Sequence, residues 1–326
     1  MINQTSNIDI SIVIVNYKNW KDLRNCINSL GFKTSNFYFE IVVVDNHSDD
    51  GCFKDFQQEF PHVKCIQNSG NNGFANACNL GVQFSVGNYI LFLNPDTLAN
   101  QAAIYNMWQF AKKNPSVGIV SCLQKKPNGR YEKKVRKFPN VFRLFGLTRA
   151  IYGVLYKTED ASQDKKLFTD WVSGSVIFIS KEWFSIIGGF NEDYWMYYED
   201  VDLSMRVQKN KGKVVLLTSS ELIHNHGGSS RINMRTTSET KTEVLISKHV
   251  YIHTHFQGVE KLISLVILVI YNLISKLLSG SIGILFFFIP KMRLNVYLLV
   301  KTVKYYLNSL AKGTWLSPNS MNYNKE

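Results

Sequence analysis

Polar side chains follow four apolar runs in the first hundred residues. These polar segments are residues 16–17, 45–46, 68–73 and 94–96. A carboxylate at a strand end, such as Asp45, can accept hydrogen bonds from a nucleobase or a ribose hydroxyl. A glycine at a helix start, such as Gly73 after Asn72, lets an anion approach the backbone. Asp96 follows a proline, and a carboxylate fixed in this way suits a hard cation that bridges two phosphates.

Two further groups of titratable residues lie beyond residue 190. Glu199, Asp200 and Asp202 follow an aromatic cluster, and three carboxylates at a helix start cannot all face one way. One of them facing a cleft, partly desolvated by the aromatics, is a candidate general base. His224 and His226 follow the last predicted strand, and either imidazole could complete a metal site with a carboxylate.

Each of these residues also has a simpler structural interpretation. Asp45 and Asp96 could start the helices that follow them, and Asn72 with Gly73 could form an ordinary turn. The acidic residues at 199–202 could serve only the helix dipole, and the histidine pair could be a solvated loop. The sequence contains no GxGxxG and no Walker A motif, which argues against a dinucleotide dehydrogenase or a P-loop ATPase.

Alternating apolar and amphipathic segments indicate how these residues are positioned. The predicted strands are residues 8–15, 39–44, 63–67, 89–93, 117–122, 171–180 and 214–217, and the predicted helices are 19–30, 73–86, 99–113, 181–187 and 200–209. This alternation predicts βαβ units and a mostly parallel sheet. Ligands of such sheets bind beyond the carboxyl ends of the strands, so the four polar loops are expected to open on one crevice.

The net charge of +12 on 326 residues is divided unevenly along the chain. Residues 125–150 carry nine basic groups and one acidic group, and residues 231–326 carry twelve and four. The remaining blocks are slightly acidic, which argues against a nucleic-acid-binding face. The five cysteines form no CxxC pair, and the N-terminus lacks a basic patch followed by an apolar run. We therefore expect no disulfide framework, no zinc site, no secretory signal and a cytosolic compartment.

The C-terminal region contains two apolar runs, residues 262–274 and 282–289, separated around Lys276. Each run is shorter than the ~20 residues that a bilayer span requires, and a mid-span lysine costs about 2–3 kcal/mol. The pattern favours two helices that lie on or dip into the inner leaflet beside nearby lysines. A hairpin, a single span and a buried helical subdomain are the alternatives. We predict a first domain over residues 1–230 and a membrane-associating helical region over 231–326.

Three further histidines precede these apolar runs. His249, His253 and His255 are expected to lie on the surface of a helix, and no role in the site is assigned to them.

The order of these motifs resembles that of the family 2 glycosyltransferases with the GT-A fold, and most closely the bacterial rhamnosyltransferase-like members. The matching stretches are residues 11–17, 43–48, 71–74 with Asn79, 94–96, 171–174, 188–190 and 199–202, and His224 with Gly227. The fold that this implies is α/β, a nucleotide-diphospho-sugar transferase fold. It has a mostly parallel central sheet flanked by helices, here followed by C-terminal apolar helices.

The resemblance also implies roles for individual residues. Donor binding is implied for Asn16, Asp45, Asn72, Gly73, Asn94, Asp96, Trp171, Ser173 and Gly174. Asp45 would hold the nucleotide base, and Asp96 would stand at the last position of the family's DxD metal motif. Asn94 replaces the first Asp of that motif, which removes one charge from the metal site. His224, or less favourably His226, would lie on the metal or diphosphate side.

By the same resemblance Asp200 is the catalytic base of an inverting sugar transfer assisted by Mg²⁺ or Mn²⁺. The donor is a nucleotide-diphosphate sugar, with dTDP-rhamnose implied at subgroup level. The acceptor is a glycan, and the apolar tail favours a lipid-linked one at the cytoplasmic face of the inner membrane, in bacterial cell-surface polysaccharide synthesis. The alternatives are transfer of another hexose or amino sugar from a UDP-sugar, and a non-catalytic membrane-associated scaffold with this fold.

Overall fold

The computed structural model describes residues 8–31, 36–132, 135–141, 144, 166–225 and 233–323. The strands are β1 (Ile10–Asn16), β2 (Phe39–Asp45), β3 (Lys64–Gln67), β4 (Tyr89–Leu93), β5 (Thr97–Leu98), β6 (Val117–Lys125), β7 (Lys166–Phe168), β8 (Val176–Ser180) and β9 (Lys213–His224). The helices are α1 (Trp20–Leu30), α2 (Cys52–Glu59), α3 (Gly73–Gln83), α4 (Gln101–Lys113), α5 (Lys181–Ile186), α6 (Glu199–Lys209), α7 (Met234–His255), α8 (Gly258–Leu285) and α9 (Pro290–Lys312). His226, Gly227 and part of the basic segment 125–150 lie outside the described residues.

The strands form one mixed sheet in the order β3-β2-β1-β4-β8-β6-β9-β5, and β7 pairs with β9. The prediction of parallel βαβ units is confirmed for β1 to β4, where Asn16 lies opposite Asp45 and Ile14 opposite Leu93. Strand β8 runs antiparallel to both of its neighbours, β4 and β6. The loop before β8 therefore lies at the same edge of the sheet as the loop after β4.

The central strands are apolar on both faces because helices cover both faces of the sheet. Ile12 and Ile14 of β1 belong to an apolar cluster with residues of α1 and α4. Val13 and Val15 of the same strand belong to a second cluster with residues of α3 and α6. This alternation explains why the strand pattern is readable from sequence as continuous apolar runs.

The strand predicted over residues 171–180 is wrong in its first half, since β8 begins only at Val176. The backbone N–H of Val176 donates to the carbonyl of Ser173, which closes a turn. The N–H of Gly174 donates to a side chain of α6 instead of a neighbouring strand. We call residues 171–175 the 171–175 loop.

The chain divides into two compact units. The first comprises Met1–Phe138, Thr158–Asn191 and Glu199–Ser229, and it contains the sheet with α1 to α6. The second comprises Pro139–Lys157, Glu192–Tyr198 and Ser230–Glu326, and it contains α7, α8 and α9. The sequence analysis predicts one domain boundary, between residues 230 and 231. The second unit also contains two short segments from earlier in the chain, so this boundary remains a prediction.

The two apolar helices predicted after residue 262 are instead one helix, α8, which continues through Lys276 to Leu285. No proline interrupts the segment until Pro290, where α9 begins, so nothing in the backbone ends the helix at the lysine. By its length and composition α8 could cross a membrane. A Cβ atom at Gly280 or Gly283 would lie 2.6 Å from an atom of α9, so these glycines allow α8 and α9 to pack closely.

The structure corrects the prediction that His249 lies on a helix surface. Its ring is fully buried in the second unit, with its centroid 5.0 Å from that of Trp315. Nδ1 lies 2.9 Å from the carbonyl of Leu245, and the hydroxyl of Tyr306 donates to Nε2 at 3.3 Å. Burial lowers the pKa of His249 to about 4. The imidazole is therefore a neutral member of the helical core.

Candidate functional site

The loops after β1, β2 and β3 are tied together by backbone hydrogen bonds. The N–H of Asn46 donates to the carbonyl of Asn16 at 2.8 Å, and the N–H of Asn68 donates to that of Asp45 at 2.9 Å. The amide of Asn68 also donates to the side chain of Asn46 at 3.0 Å and accepts from Asn72 at 3.1 Å. Three of the four predicted polar loops thus form one amide-rich cluster at the start of α3.

Asp45 lies fully buried inside this cluster. One carboxylate oxygen accepts from Asn16 Nδ2 at 3.3 Å and from the hydroxyl of Ser48, and the other accepts from the Ser48 N–H at 3.1 Å. Gln67 Nε2 lies 3.4 Å from that second oxygen. The residue that precedes α2 is Gly51, so Asp45 does not cap the helix. Its protein partners fix the carboxylate at the end of β2.

The fourth loop contacts the 171–175 loop, because β4 and β8 are neighbours. The N–H of Asn94 donates to the carbonyl of Ser175 at 3.0 Å. Asp96 does not cap the helix that follows, since Asn100 accepts the N–H of Ala103 there. The carboxylate of Asp96 is thereby left for another partner.

That partner is His224, which pairs with Thr97 across β5 and β9. Nε2 of His224 lies 3.2 Å from Oδ1 of Asp96, and both side chains are buried. On its other side, Nδ1 of His224 lies 3.0 Å from Oε1 of Gln124 and 3.5 Å from Oε1 of Glu132. Burial lowers the pKa of His224, but the hydrogen bonds and charges of the two carboxylates outweigh it and raise the pKa to about 9.

At the start of α6, the carboxylate of Asp200 contacts the 171–175 loop. Its Oδ2 accepts the N–H of Gly174 at 2.9 Å, and its Oδ1 accepts the N–H of Val201 at 2.8 Å. Asp202 is buried and pairs with Arg206 at 2.7 Å. Burial raises the pKa of Asp200, while the two N–H groups and the charge of Arg136 act in the opposite direction.

The 171–175 loop connects the two halves of the site. Gly174 bonds to Asp200, and the hydroxyl of Ser175 donates to Oε1 of Gln124 at 2.7 Å, the same atom that contacts His224. The hydroxyl of Ser173 lies 3.0 Å from that of Ser175. A hydrogen-bonded chain therefore runs from the loop through Gln124 to the imidazole, and two adjacent loop residues, Gly174 and Ser175, contact the Asp200 side and the Asp96 side respectively.

Helix α3 also reaches this loop. A Cβ atom at Gly174 would lie 3.4 Å from the Phe74 ring and 3.6 Å from Cβ of Asp200. Gly73 starts α3 with a φ of 90°, a conformation that favours glycine. Phe74, the residue after Gly73, and the carboxylate of Asp200 thus both lie close to Gly174, so the start of α3 and the predicted base are near each other.

Three residues of the site were missed in the sequence, namely Gln124, Glu132 and Arg136. Arg136 pairs with Oε2 of Glu132 at 2.8 Å, and its guanidinium lies 4.7 Å from the centroid of the Trp171 ring. The indole N–H of Trp171 donates to the carbonyl of Lys137 at 3.1 Å. The signal that could have revealed them is Glu132, the single acidic residue in the basic segment 125–150.

These side chains line a small open cleft beside the end of β6. The lining includes Gln124, Glu132, Arg136, Trp171 and Ser173. Among the described residues, no group of three or more His, Cys, Asp and Glu side chains is arranged to hold a metal ion. Asp96 with His224 is a smaller donor set, one oxygen and one nitrogen, and it would hold a divalent cation once Nε2 of His224 has lost the proton that its raised pKa favours.

The sequence model described as glycosyl transferase family 2 matches residues 11–183, more than half of the chain. This chain belongs to glycosyl transferase family 2. A second family model, described as the N-terminal domain of galactosyltransferase, matches residues 159–226 of the glycosyltransferase and so includes Asp200 and His224.

Curated relatives of the glycosyltransferase include sugar transferases of bacteria and archaea. N-acetylglucosaminyl-diphospho-decaprenol L-rhamnosyltransferase of Mycobacterium tuberculosis is 27% identical over 241 residues, which cover 68% of this chain and 77% of the relative. Rhamnosyltransferase WbbL of Escherichia coli is 24% identical, with coverages of 61% and 76%. Low-salt glycan biosynthesis hexosyltransferase Agl10 of Haloferax volcanii is 26% identical, with 69% of each chain covered. The glycosyltransferase is therefore rhamnosyltransferase-like.

Solved structures with a similar fold support the GT-A expectation. Residues 1–349 of Staphylococcus aureus TarS give a TM-score of 0.50 at 18% identity, with 77% of this chain and 67% of that one covered. GalNAc-T7 with UDP, GalNAc and Mn²⁺ gives a TM-score of 0.52 at 16% identity over 68% of this chain. The glycosyltransferase spans 43% of the GalNAc-T7 chain. At these identities the similarity concerns the fold alone.

Proposed function

We propose that this glycosyltransferase transfers a sugar from a nucleotide-diphosphate sugar to a hydroxyl group of a glycan acceptor, with inversion at the anomeric carbon. The observation that carries the proposal is the 171–175 loop, whose Gly174 bonds to Asp200 and whose Ser175 is linked through Gln124 to His224 and Asp96. A candidate base and a candidate cation-binding pair thus share one short loop. An in-line displacement needs these two functions on either side of the reacting carbon.

In this proposal Asp200 accepts the proton of the acceptor hydroxyl as that oxygen attacks the anomeric carbon. The N–H groups of Gly174 and Val201 hold its two oxygens, so the carboxylate keeps one orientation. Burial raises the pKa of Asp200, which makes the group a stronger base than an exposed aspartate, while the charge of Arg136 favours its ionised form. The bond to the donor diphosphate breaks as the new glycosidic bond forms, and no covalent enzyme intermediate is required.

The residues that would hold a Mg²⁺ or Mn²⁺ ion are Asp96 and His224. When bound, the cation neutralises charge on the departing nucleotide diphosphate. Asn94 stands where a further carboxylate would add a ligand, so the protein offers the cation one negative charge at this motif. Gln124 accepts from Nδ1 of His224, which directs Nε2 toward Asp96.

Donor binding is proposed for the two groups of residues that meet at Gly174. Asn16, Asp45, Asn72 and Gly73 would hold the nucleotide in the amide-rich cluster. Trp171, Ser173 and Gly174 would contact the sugar and diphosphate from the opposite side, together with Asn94. The support for this division is that Phe74, which follows Gly73, and Asp200 both lie against Gly174.

The names of the relatives support rhamnose as the donor sugar and a lipid-linked sugar as the acceptor. Two of the relatives are named as rhamnosyltransferases, and the acceptor in one name is a sugar on a diphospho-decaprenol. We therefore propose dTDP-rhamnose as donor and a lipid-linked glycan as acceptor, in cell-surface polysaccharide synthesis. A UDP-linked hexose or amino sugar is the second candidate, supported by the UDP and GalNAc that accompany GalNAc-T7 in its crystal structure, which has a similar fold.

The second unit supports attachment to the cytoplasmic face of the inner membrane. Large apolar side chains of α8 and of residues 286–289 are exposed, for example Leu285 at 74% and Phe288 at 75%. The sequence around these apolar residues contains Lys261, Lys291 and Lys304, and their positive charge suits an anionic leaflet. We propose a peripheral protein whose apolar helix α8, with residues 286–289, enters the interface, and the charge distribution argues against nucleic acid as a partner.

The test is a screen for nucleotide release from UDP-, dTDP- and GDP-sugars, with and without Mg²⁺ or Mn²⁺, on the full chain and on its Asp200→Asn variant. Loss of a general base is expected to lower the rate about 10²- to 10⁴-fold while donor binding, measured by thermal shift, changes little. Loss of donor binding in the variant would make Asp200 structural. Absence of release from every donor would leave only the scaffold interpretation.

A further inference from the structure

The segment Glu192–Tyr198 leads directly into the helix that carries Asp200. Tyr197 and Tyr198 have φ values of 71° and 68°, in the left-handed region that bulky residues seldom adopt. This conformation is unfavourable for a bulky residue, so it persists only where surrounding contacts hold it. Tyr198 is bonded directly to Glu199, the first residue of α6. The backbone conformation of Tyr198 therefore sets the direction in which the first turn of α6, with Asp200, begins.

Helix α7 holds this segment from within the second unit. The hydroxyl of Ser247 donates to the carbonyl of Met196 at 2.8 Å. The ring of Tyr198 lies 5.4 Å, between centroids, from that of Tyr251. Tyr251 is itself fully buried, and its hydroxyl donates to the carbonyl of Pro139 at 3.2 Å. The C-terminal half of the segment is therefore attached to a rigid helix.

The end of the chain holds the beginning of the same segment. The hydroxyl of Ser320 donates to the carbonyl of Glu192 at 2.9 Å, and the amide of Asn322 donates to Oδ1 of Asp193 at 2.7 Å. The tail is anchored in turn, because Ser317 and Asn319 both donate to Oε1 of Glu243.

We propose that the C-terminal tail and α7 position the catalytic carboxylate. Ser320 and Asn322 fix one end of the segment and Ser247 and Tyr251 fix the other. Tyr197 and Tyr198, with their positive φ values, connect this anchored segment to the start of α6. The proposal rests on the proposed role of Asp200 as base, and it makes Asn322 a positioning residue about 120 residues away in sequence. The anchored segment thus contributes to catalysis through the chain that continues into α6, since a misplacement of about 1 Å at a reacting group can cost 10²-fold in rate.

The test exchanges the donor and acceptor of one hydrogen bond in the full chain. Asn322→Asp places two carboxylates face to face, and we expect kcat to fall at least tenfold with dTDP-rhamnose as donor, while the KM and the dissociation constant for dTDP-rhamnose change less than about threefold. Adding Asp193→Asn restores the hydrogen bond with its direction reversed, and kcat should recover. Asn308→Ala on α9 is the control that leaves kcat unchanged.

Hydrogen exchange of residues 192–203 provides a readout that needs no substrate. We expect faster exchange in Asn322→Asp and recovery in the exchanged pair. The proposal is overturned if kcat is unaffected, if the exchanged pair fails to restore it, or if exchange in this segment does not change. A wild-type protein that transfers no sugar would refute the proposed function, and the exchange experiment would still decide whether the tail orders the segment.

Discussion

Glu243 of α7 provides a quantitative prediction about the stability of the second unit. Its side chain is 3% exposed, and Oε1 accepts from Ser317 at 2.8 Å and from Asn319 at 3.1 Å. Oε2 has no hydrogen-bond partner among the described residues. Burial raises the pKa of Glu243 from 4.5 to about 7, against the two hydrogen bonds and the charge of Lys301. The folded chain therefore holds a proton here that the unfolded chain releases.

The sign and size of the effect follow from that difference in pKa. Between pH 4.5 and about 7 the folded protein binds more protons at Glu243 than the unfolded one, so its free energy of unfolding falls as pH rises. The free energy of unfolding falls by about 3 kcal/mol in total, and this fall is complete above pH 7. Glu243→Gln cannot ionise. We expect the free energy of unfolding of the variant, relative to wild type, to rise by about 3 kcal/mol from about pH 4 to about pH 8.

The measurement is urea unfolding followed by circular dichroism at several pH values, for wild type and variant in the same buffer. His249 also titrates in this unit, but with its pKa lowered it affects stability only below pH 6.5 and does so in both proteins. The control is Glu239→Gln on the same helix, an ion-pairing residue that is 36% exposed and whose charge is only a minor cause of the raised pKa of Glu243, so a change below about 1 kcal/mol is expected. A difference between Glu243→Gln and wild type that stays constant with pH would refute the reasoning.

Two further predictions concern the first unit. Gln124→Leu removes the acceptor that orients His224 and should weaken Mn²⁺ binding about 10- to 100-fold. The affinity for Mn²⁺ is measured by paramagnetic resonance without substrate. The control variant Gln101→Leu should leave this affinity unchanged. Equal affinities in the two variants would contradict this role. Arg136→Gln removes a charge that lowers the pKa of the proposed base, so the acidic limb of the kcat/KM profile should move to higher pH. A limb that stays in place or moves to lower pH would mean that the guanidinium does not act on this carboxylate.

Most elements of the first unit could be predicted from the sequence because each carries its own apolar pattern and its own stop signal. The predicted strand 89–93 matches β4, and most other early elements differ by a few residues at their ends, whereas α2 and the short strand β5 were not predicted. Several polar residues after these strands meet in the structure for the same reason, since adjacent parallel strands end at one edge. The local hydrophobic pattern was sufficient to predict which residues meet wherever neighbouring strands of the sheet are also close in sequence.

Local pattern failed where the neighbour depends on distant pairing. Gln124 meets His224 only because β6 pairs with β9 across about a hundred residues, with Gln124 opposite Leu222. His249 has the sequence context of a surface position, and its burial depends on Tyr306 and Trp315, which follow much later in the chain. The prediction of two helices divided at Lys276 treats a single charge as a boundary, although a lysine stem can cover apolar surface without ending a helix.

The antiparallel course of β8 has a consequence for redesign of the enzyme. A loop that follows a parallel strand can be lengthened on its own, because it leaves the sheet and returns through a helix. The 171–175 loop precedes its strand, and Asn94, Gln124 and Asp200 hold it through the adjacent residues Gly174 and Ser175. An insertion there would disturb the proposed proton acceptor and the proposed cation site together, so altered substrate choice is best sought by exchange of single side chains, with the loop length kept constant.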